Sequence, residues 1–203
     1  MMQYSNIQRI LLLPIIILSL FIAPQVHATT DDEFIPTGYL GIGLTSTDLM
    51  LNDENLSQTY AGNDSSTFNQ NGNAFKLFIG YQYDPLLGLE MGYTSFGEMV
   101  MSDNGTKNNL FNTDGIYFST TVTKSITENI TATAKAGMFF WTLFDNVDDP
   151  LEEGQGITYG AGLDLNLYGG KERTLLVEWE HYAFSDVSLK DGDTVGVSLK
   201  FNY

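Results

Sequence analysis

From residue 37 onward the chain alternates. Apolar or aromatic side chains take every second position in eight runs, about 37–47, 73–83, 87–97, 111–124, 128–144, 156–168, 173–184 and 192–203. Clusters of Gly, Asn, Asp and Pro divide them. A period of two sends successive side chains to opposite faces of a strand. In the second run Phe75, Leu77, Ile79, Tyr81 and Tyr83 oppose Lys76, Phe78, Gly80 and Gln82. In the third, Leu87, Leu89, Met91 and Tyr93 oppose Gly88, Glu90 and Gly92. In the sixth, Tyr159, Ala161, Leu163 and Leu165 oppose Gly160, Gly162 and Asp164. The last sets Val195, Val197, Leu199, Phe201 and Tyr203 against Thr194, Gly196, Ser198, Lys200 and Asn202. No segment within these runs carries a helical period.

Two closed architectures suit such strands. A soluble barrel turns the apolar face inward, and a membrane barrel turns it outward to lipid around a polar interior. Three features select the second. Residues 1–28 read as a secretory signal peptide, with Arg9, an apolar stretch from Ile10 to Ala23, and Val26-His27-Ala28 before the cut. Connections alternate in length: Asp84-Pro85-Leu86, Ser125-Ile126-Thr127 and Gly169-Gly170-Lys171-Glu172 are tight, while about 48–72, 98–110, 145–155 and 185–191 are long. The chain ends on a strand with an aromatic last residue, Tyr203. The expected fold is therefore all-β, an eight-stranded antiparallel up-and-down transmembrane β-barrel. It would occupy residues 37–203, after a short acidic segment at 29–36.

Composition narrows the function. Lys and Arg total 9 against 25 Asp and Glu, a formal charge of −16. That excludes nucleic acid, which needs a basic surface. The chain has no cysteine, so it has no disulfide, thiol nucleophile or cysteine zinc site. No cofactor is expected.

Eight strands enclose a lumen that side chains can fill, which argues against a general pore. The inward set contains Lys76, Lys135 and Lys200 with Glu90, Asp164, Glu178 and Glu180. If the hairpins close at the turns named above, Lys135 falls near Asp164, Asp164 near Glu178, and Glu178 opposite Lys200. That register predicts a chain Lys135–Asp164–Glu178–Lys200 at one level, either an ion-paired plug or a gate. A one-residue slip would undo it.

Aromatic residues near strand ends predict girdles at the two membrane interfaces. Tyr39, Tyr81, Tyr83, Phe201 and Tyr203 would lie at the periplasmic rim, and Phe96, Trp141, Phe144 and Phe184 at the outer one. The loops are acidic, with Asp145, Asp148, Asp149, Glu152, Glu153, Asp186, Asp191 and Asp193. Carboxylates suit Ca²⁺ or Mg²⁺, but no run matches a calcium-loop motif. For an enzyme, the mature chain offers His181 alone as a base, with Ser185 four residues on. Strand parity turns His181 away from Glu178 and Glu180.

The whole mature chain resembles the OmpA-like transmembrane β-barrel family of Gram-negative outer membranes. The leader, paired strands such as Phe75–Tyr83 with Leu87–Phe96, and the ending Gly196–Tyr203 carry the likeness. It implies residence in the outer membrane among lipid and lipopolysaccharide, as a monomer. It implies a structural or surface-interaction role through the loops toward a host or surface ligand. It also implies that Val195, Val197, Leu199, Phe201 and Tyr203 form a terminal signal read by the barrel-assembly machinery. A final Tyr departs from the commoner Phe. Lipid A deacylase barrels use a His-x-Ser spacing, which His181-Tyr182-Ala183 lacks, so the chain is expected not to be an enzyme. A lipid A- or lipopolysaccharide-modifying barrel is the alternative. A secreted lipocalin-like ligand-binding barrel is a second, although Gly38-Tyr39-Leu40 lacks the Gly-x-Trp opening.

Overall fold

A computed structural model describes residues 34–48, 67–70, 73–103, 106–144, 150–167, 172–184 and 191–203. The signal peptide and most of the acidic segment expected at 29–36 lie outside the described residues, as do Asp145, Asp148, Asp149, Ser185 and Asp186. Among the described residues there are nine strands: β1 Thr37–Asp48, β2 Thr67–Gln70, β3 Asn73–Gln82, β4 Leu87–Asp103, β5 Thr106–Thr127, β6 Ile130–Phe144, β7 Pro150–Asn166, β8 Arg173–Phe184 and β9 Gly192–Asn202. All pairings are antiparallel, and β4 pairs with β5 to close the ring. Both β2 and β3 pair with β4, β2 above β3, so nine strands fill eight barrel positions. Closure leaves no edge among the eight ring positions, as hydrocarbon requires, and only the short β2 above β3 keeps a free side among the described residues.

The apolar faces point outward. Ile42 is 54% exposed, Leu44 71% and Val195 56%, while Lys76 is 0% and Glu180 1% exposed. This inversion of a soluble core removes the lipocalin-like alternative.

Following the register fixes the geometry. From Lys124 it runs to Ala132, Leu163, Val177, Val197, Leu44, Phe75 and Ser95, and returns to β5 at Asp114. The two β5 residues are ten apart (124 against 114), so the barrel has eight strands and a shear of ten. Strands rise about 3.3 Å per residue and tilt about 45°, so Asp114 stands about 23 Å above Lys124. By the same arithmetic Arg173 is level with Lys124, and Asp193 with Asp114. The outer wall thus carries cations below and carboxylates above an apolar band, whose height matches the ~25 Å of outer-membrane barrels.

Several boundaries differ from expectation. Within the segment 98–110, expected as a loop, β4 continues to Asp103 and pairs with β5, which begins at Thr106. A bulge between Ser95 and Glu98 bends β4, with Gly97 at a φ of 83° that a side chain would oppose. β2 lies inside the expected 48–72 loop, and β7 begins at Pro150 inside the expected 145–155 loop. The turn expected at Ser125-Ile126-Thr127 sits at Glu128-Asn129 instead, after a bulge. There Asn166 Nδ2 donates to the Glu128 carbonyl and pins the turn. At Asp84-Pro85-Leu86 the turn is where expected, closed by the Leu86 amide donating to Asp84 Oδ1.

Candidate functional site: the filled lumen and its two ends

Strand parity delivers every lumenal charge. Lys76 comes from β3, Glu90 from β4, Lys135 from β6, Asp164 from β7, Glu178 and Glu180 from β8, and Lys200 from β9. Each is at most 8% exposed. They form two groups. In the upper group, Lys76 Nζ donates to Glu178 Oε1 at 2.8 Å and Glu180 Oε2 at 2.7 Å. Lys135 Nζ contacts Glu178 Oε2, Glu180 Oε1 at 2.8 Å and Glu90 Oε1 at 3.2 Å. The hydroxyls of Tyr39 and Tyr117 donate to Glu90 at 2.9 and 2.8 Å. The Lys76 ammonium also lies over the Tyr117 and Phe78 rings. In the lower group Lys200 Nζ donates to Asp164 Oδ1 at 2.9 Å, and Thr133 Oγ1 to Asp164 Oδ2 at 2.7 Å.

The single chain Lys135–Asp164–Glu178–Lys200 is corrected accordingly. Lys135 meets three glutamates, and Asp164 belongs to Lys200. The register explains it: Glu178 pairs with Gly196 and Lys200 with Thr174, four residues from the expected match. At the loop-side end this register is accompanied by three contacts to Asp191 and Asp193. Phe184 N donates to Asp191 Oδ1, Trp179 Nε1 donates to Asp193 Oδ1, and His181 Nδ1 lies 3.0 Å from Asp193 Oδ1.

Four of the expected girdle residues face the lumen. Tyr39, Phe96, Trp141 and Phe184 are 6%, 1%, 2% and 8% exposed. Their neighbours Leu40, Ser95, Phe140 and Ala183 occupy the outward positions, so parity alone would have placed them inside. Proximity to a strand end is a weaker signal than alternation. Phe96, Trp141 and Phe184 join Phe111, Phe139, Leu143 and Tyr182 in an aromatic layer at the loop end. Phe139 meets Phe184 edge-on at 4.9 Å and Phe96 meets Tyr182 at 4.8 Å, the favoured geometry for ring quadrupoles. Tyr83, Phe201 and Tyr203 are exposed, Tyr81 half-buried, all four outward near the turn end. Phe144 is half-buried at the top of β6. The upper outward ring consists of residues that the sequence reading placed on the apolar face but did not assign to a girdle: Phe75, Tyr93, Phe140, Tyr159 and Trp179. Tyr159 stacks on His181 at 4.9 Å.

Glycine makes room for the lumenal rings. Gly80 lies beneath Tyr39, Gly41 beneath Phe78 and Gly92 against Tyr117, and a Cβ at any of them would collide with the ring.

Below the charged layer the lumen opens at the turn end into a recess of about 550 Å³, lined by Tyr39, Asp164, Asn166, Thr174, Lys200 and Asn202 among others. Among the described residues no group of three His, Asp or Glu could hold a metal ion.

The OmpA-like transmembrane domain model matches residues 35–158, more than half of the chain. The chain belongs to this family. No curated protein matches it significantly in sequence. Solved structures share the OmpA-like barrel at low identity. Neisserial surface protein A superposes with a TM-score of 0.58 at 10% identity, covering 81% of this chain and 96% of its own. Ail, the attachment invasion locus protein of Yersinia pestis, gives 0.56 at 12%, covering 84% and 100%. The N-terminal barrel domain of Pseudomonas aeruginosa OprF gives 0.52 at 12%, covering 81% and 97%. This OmpA-like chain is a Gram-negative outer-membrane barrel, and its short-turn end is periplasmic by the habit of that class.

Proposed function

We propose that this barrel is a sealed, non-enzymatic and monomeric surface protein that engages a ligand at its loop end. The observation that carries the reading is the filled lumen: an aromatic layer lies over a charged layer, and a solute crossing the membrane would have to displace both. His181, the base the sequence offers, contacts Asp193 and lies against Tyr159 at the β8–β9 clasp. Val195, Val197, Leu199, Phe201 and Tyr203, on the outward face of β9, are read as the signal taken up by the assembly machinery.

A related fold indicates what such a surface can bind. Ail has been solved with the heparin analogue sucrose octasulfate, a polyanion. The loop-side rim here bears Asp114, Glu153, Asp191 and Asp193, so the ligand proposed for this chain is cationic, or is bridged by cations. The sealed lumen is tested by sugar-driven swelling of liposomes containing the refolded barrel. Swelling no faster than that of empty liposomes is expected, and rates typical of a general porin would overturn the reading.

A further inference from the structure

Among the described residues, a groove of about 640 Å³ crosses the outer wall from β5 to β9. Its floor is small, Ala132, Ala134 and Ala161, between larger neighbours such as Leu163 and Trp179. The groove follows two hydrogen-bonded rows, Lys124–Ala132–Leu163 and Ala134–Ala161–Trp179. Those rows climb ten residues per circuit, so the groove rises as it leaves Lys124. Four strand spacings of about 4.8 Å, inclined by about 45°, lift it about 14 Å, about half of the ~30 Å hydrocarbon core. The path therefore starts at the periplasmic interface and ends near the bilayer midplane. Lys124 stands exposed at its lower end and makes no ion pair among the described residues.

We propose that this groove binds one glycerophospholipid of the periplasmic leaflet, with an acyl chain along the alanine floor and the phosphate on Lys124. Hydrocarbon fills any depression in a membrane-facing wall, because a void there forfeits dispersion contacts. What makes this site selective is the pairing of a chain-length trough with a cation at its interfacial end. The trough orders the chain, and the ammonium needs an anion where the lipid carries one.

The test uses the refolded barrel in a neutral detergent, with lipid retention read by native mass spectrometry. The probes are dipalmitoylphosphatidylglycerol and dipalmitoylglycerol, which share tails and differ in the anionic phosphoglycerol headgroup. One phosphatidylglycerol per barrel is expected, with at least ten-fold weaker retention of the diacylglycerol. Lys124→Gln should weaken retention of the phospholipid at least ten-fold and leave the diacylglycerol unchanged. Ala134→Phe, which fills the trough from the lipid side, should weaken both. Heat-modifiable gel mobility certifies that each variant is folded, and Ala161→Leu replaces Ala134→Phe if that variant fails. Equal retention of the two probes, or no effect of Lys124→Gln, would overturn the proposal. So would a dimer that Ala134→Phe dissociates, which would make a second copy of the chain the occupant.

Discussion

Lys135 is the residue on which the upper lumen turns. It touches Glu90, Glu178 and Glu180, and at 7% exposure it has little water to replace those contacts. Breaking a buried ion pair from one side costs about 3–5 kcal/mol, because the partner charge stays buried and uncompensated. Lys135→Met should therefore lower the unfolding free energy in lipid vesicles by about that amount, read from urea titration. Lys200→Met should cost less, since Asp164 keeps the Thr133 hydroxyl and borders the open recess. The presence of the seven charges in the lumen was legible in the alternation, while their partners were not. A lysine reaches across the lumen to strands that do not neighbour its own: Lys76 on β3 meets Glu178 and Glu180 on β8. Register arithmetic between adjacent strands cannot see such a contact. Tyr117 went unnoticed for a simpler reason. It stands between Ile116 and Phe118, three apolar or aromatic residues in a row, so its hydroxyl on Glu90 has no contrast to announce it.

At the scale of an element, β9 shows how the strand serves two environments. Its inward positions are Gly192, Thr194, Gly196, Ser198 and Lys200, all buried, and its outward row runs from Asp193 down to Tyr203. The cost of a charge on that row should follow depth. Val197 lies near the middle of the apolar band, so Val197→Arg should cost about 2–4 kcal/mol, and Tyr203→Arg at the lower interface about 0–1 kcal/mol. Unfolding titrations of the two variants check this, and equal costs would mean that the outward row does not span the membrane. The strand cores were readable because lipid and lumen demand opposite residues at alternate positions. Their loop-side ends were not. Beyond the membrane both faces meet water, the alternation loses its cause, and residues 98–110 read as a loop although β4 and β5 extend into them.

At the scale of the molecule, the outward charges bordering the apolar band differ in sign at its two edges, while the lower turns also carry Asp84, Glu128 and Glu172. Lys124 and Arg173 mark the lower rim of its outer wall, Asp114, Asp191 and Asp193 the upper one, within a chain of net charge −16. A ligand at the upper end must suit that sign. Barrels in lipid nanodiscs should bind a lysine-rich peptide and not heparin, with affinity falling as salt rises, because exposed charges are screened beyond about 8 Å at physiological ionic strength. Heparin binding as strong as that of the peptide would overturn the assignment. The interior is polarised too. Its rings crowd the loop end, and the recess bordered by Lys200 opens below. With the lumen sealed as proposed, such a tube is a blind well with its mouth toward the cell. Small reagents in the periplasm would reach the recess beside Asp164, whereas the same reagents in the outside medium would meet the aromatic layer first. Any chemical sensing by the lumen would thus report on the compartment the bacterium controls.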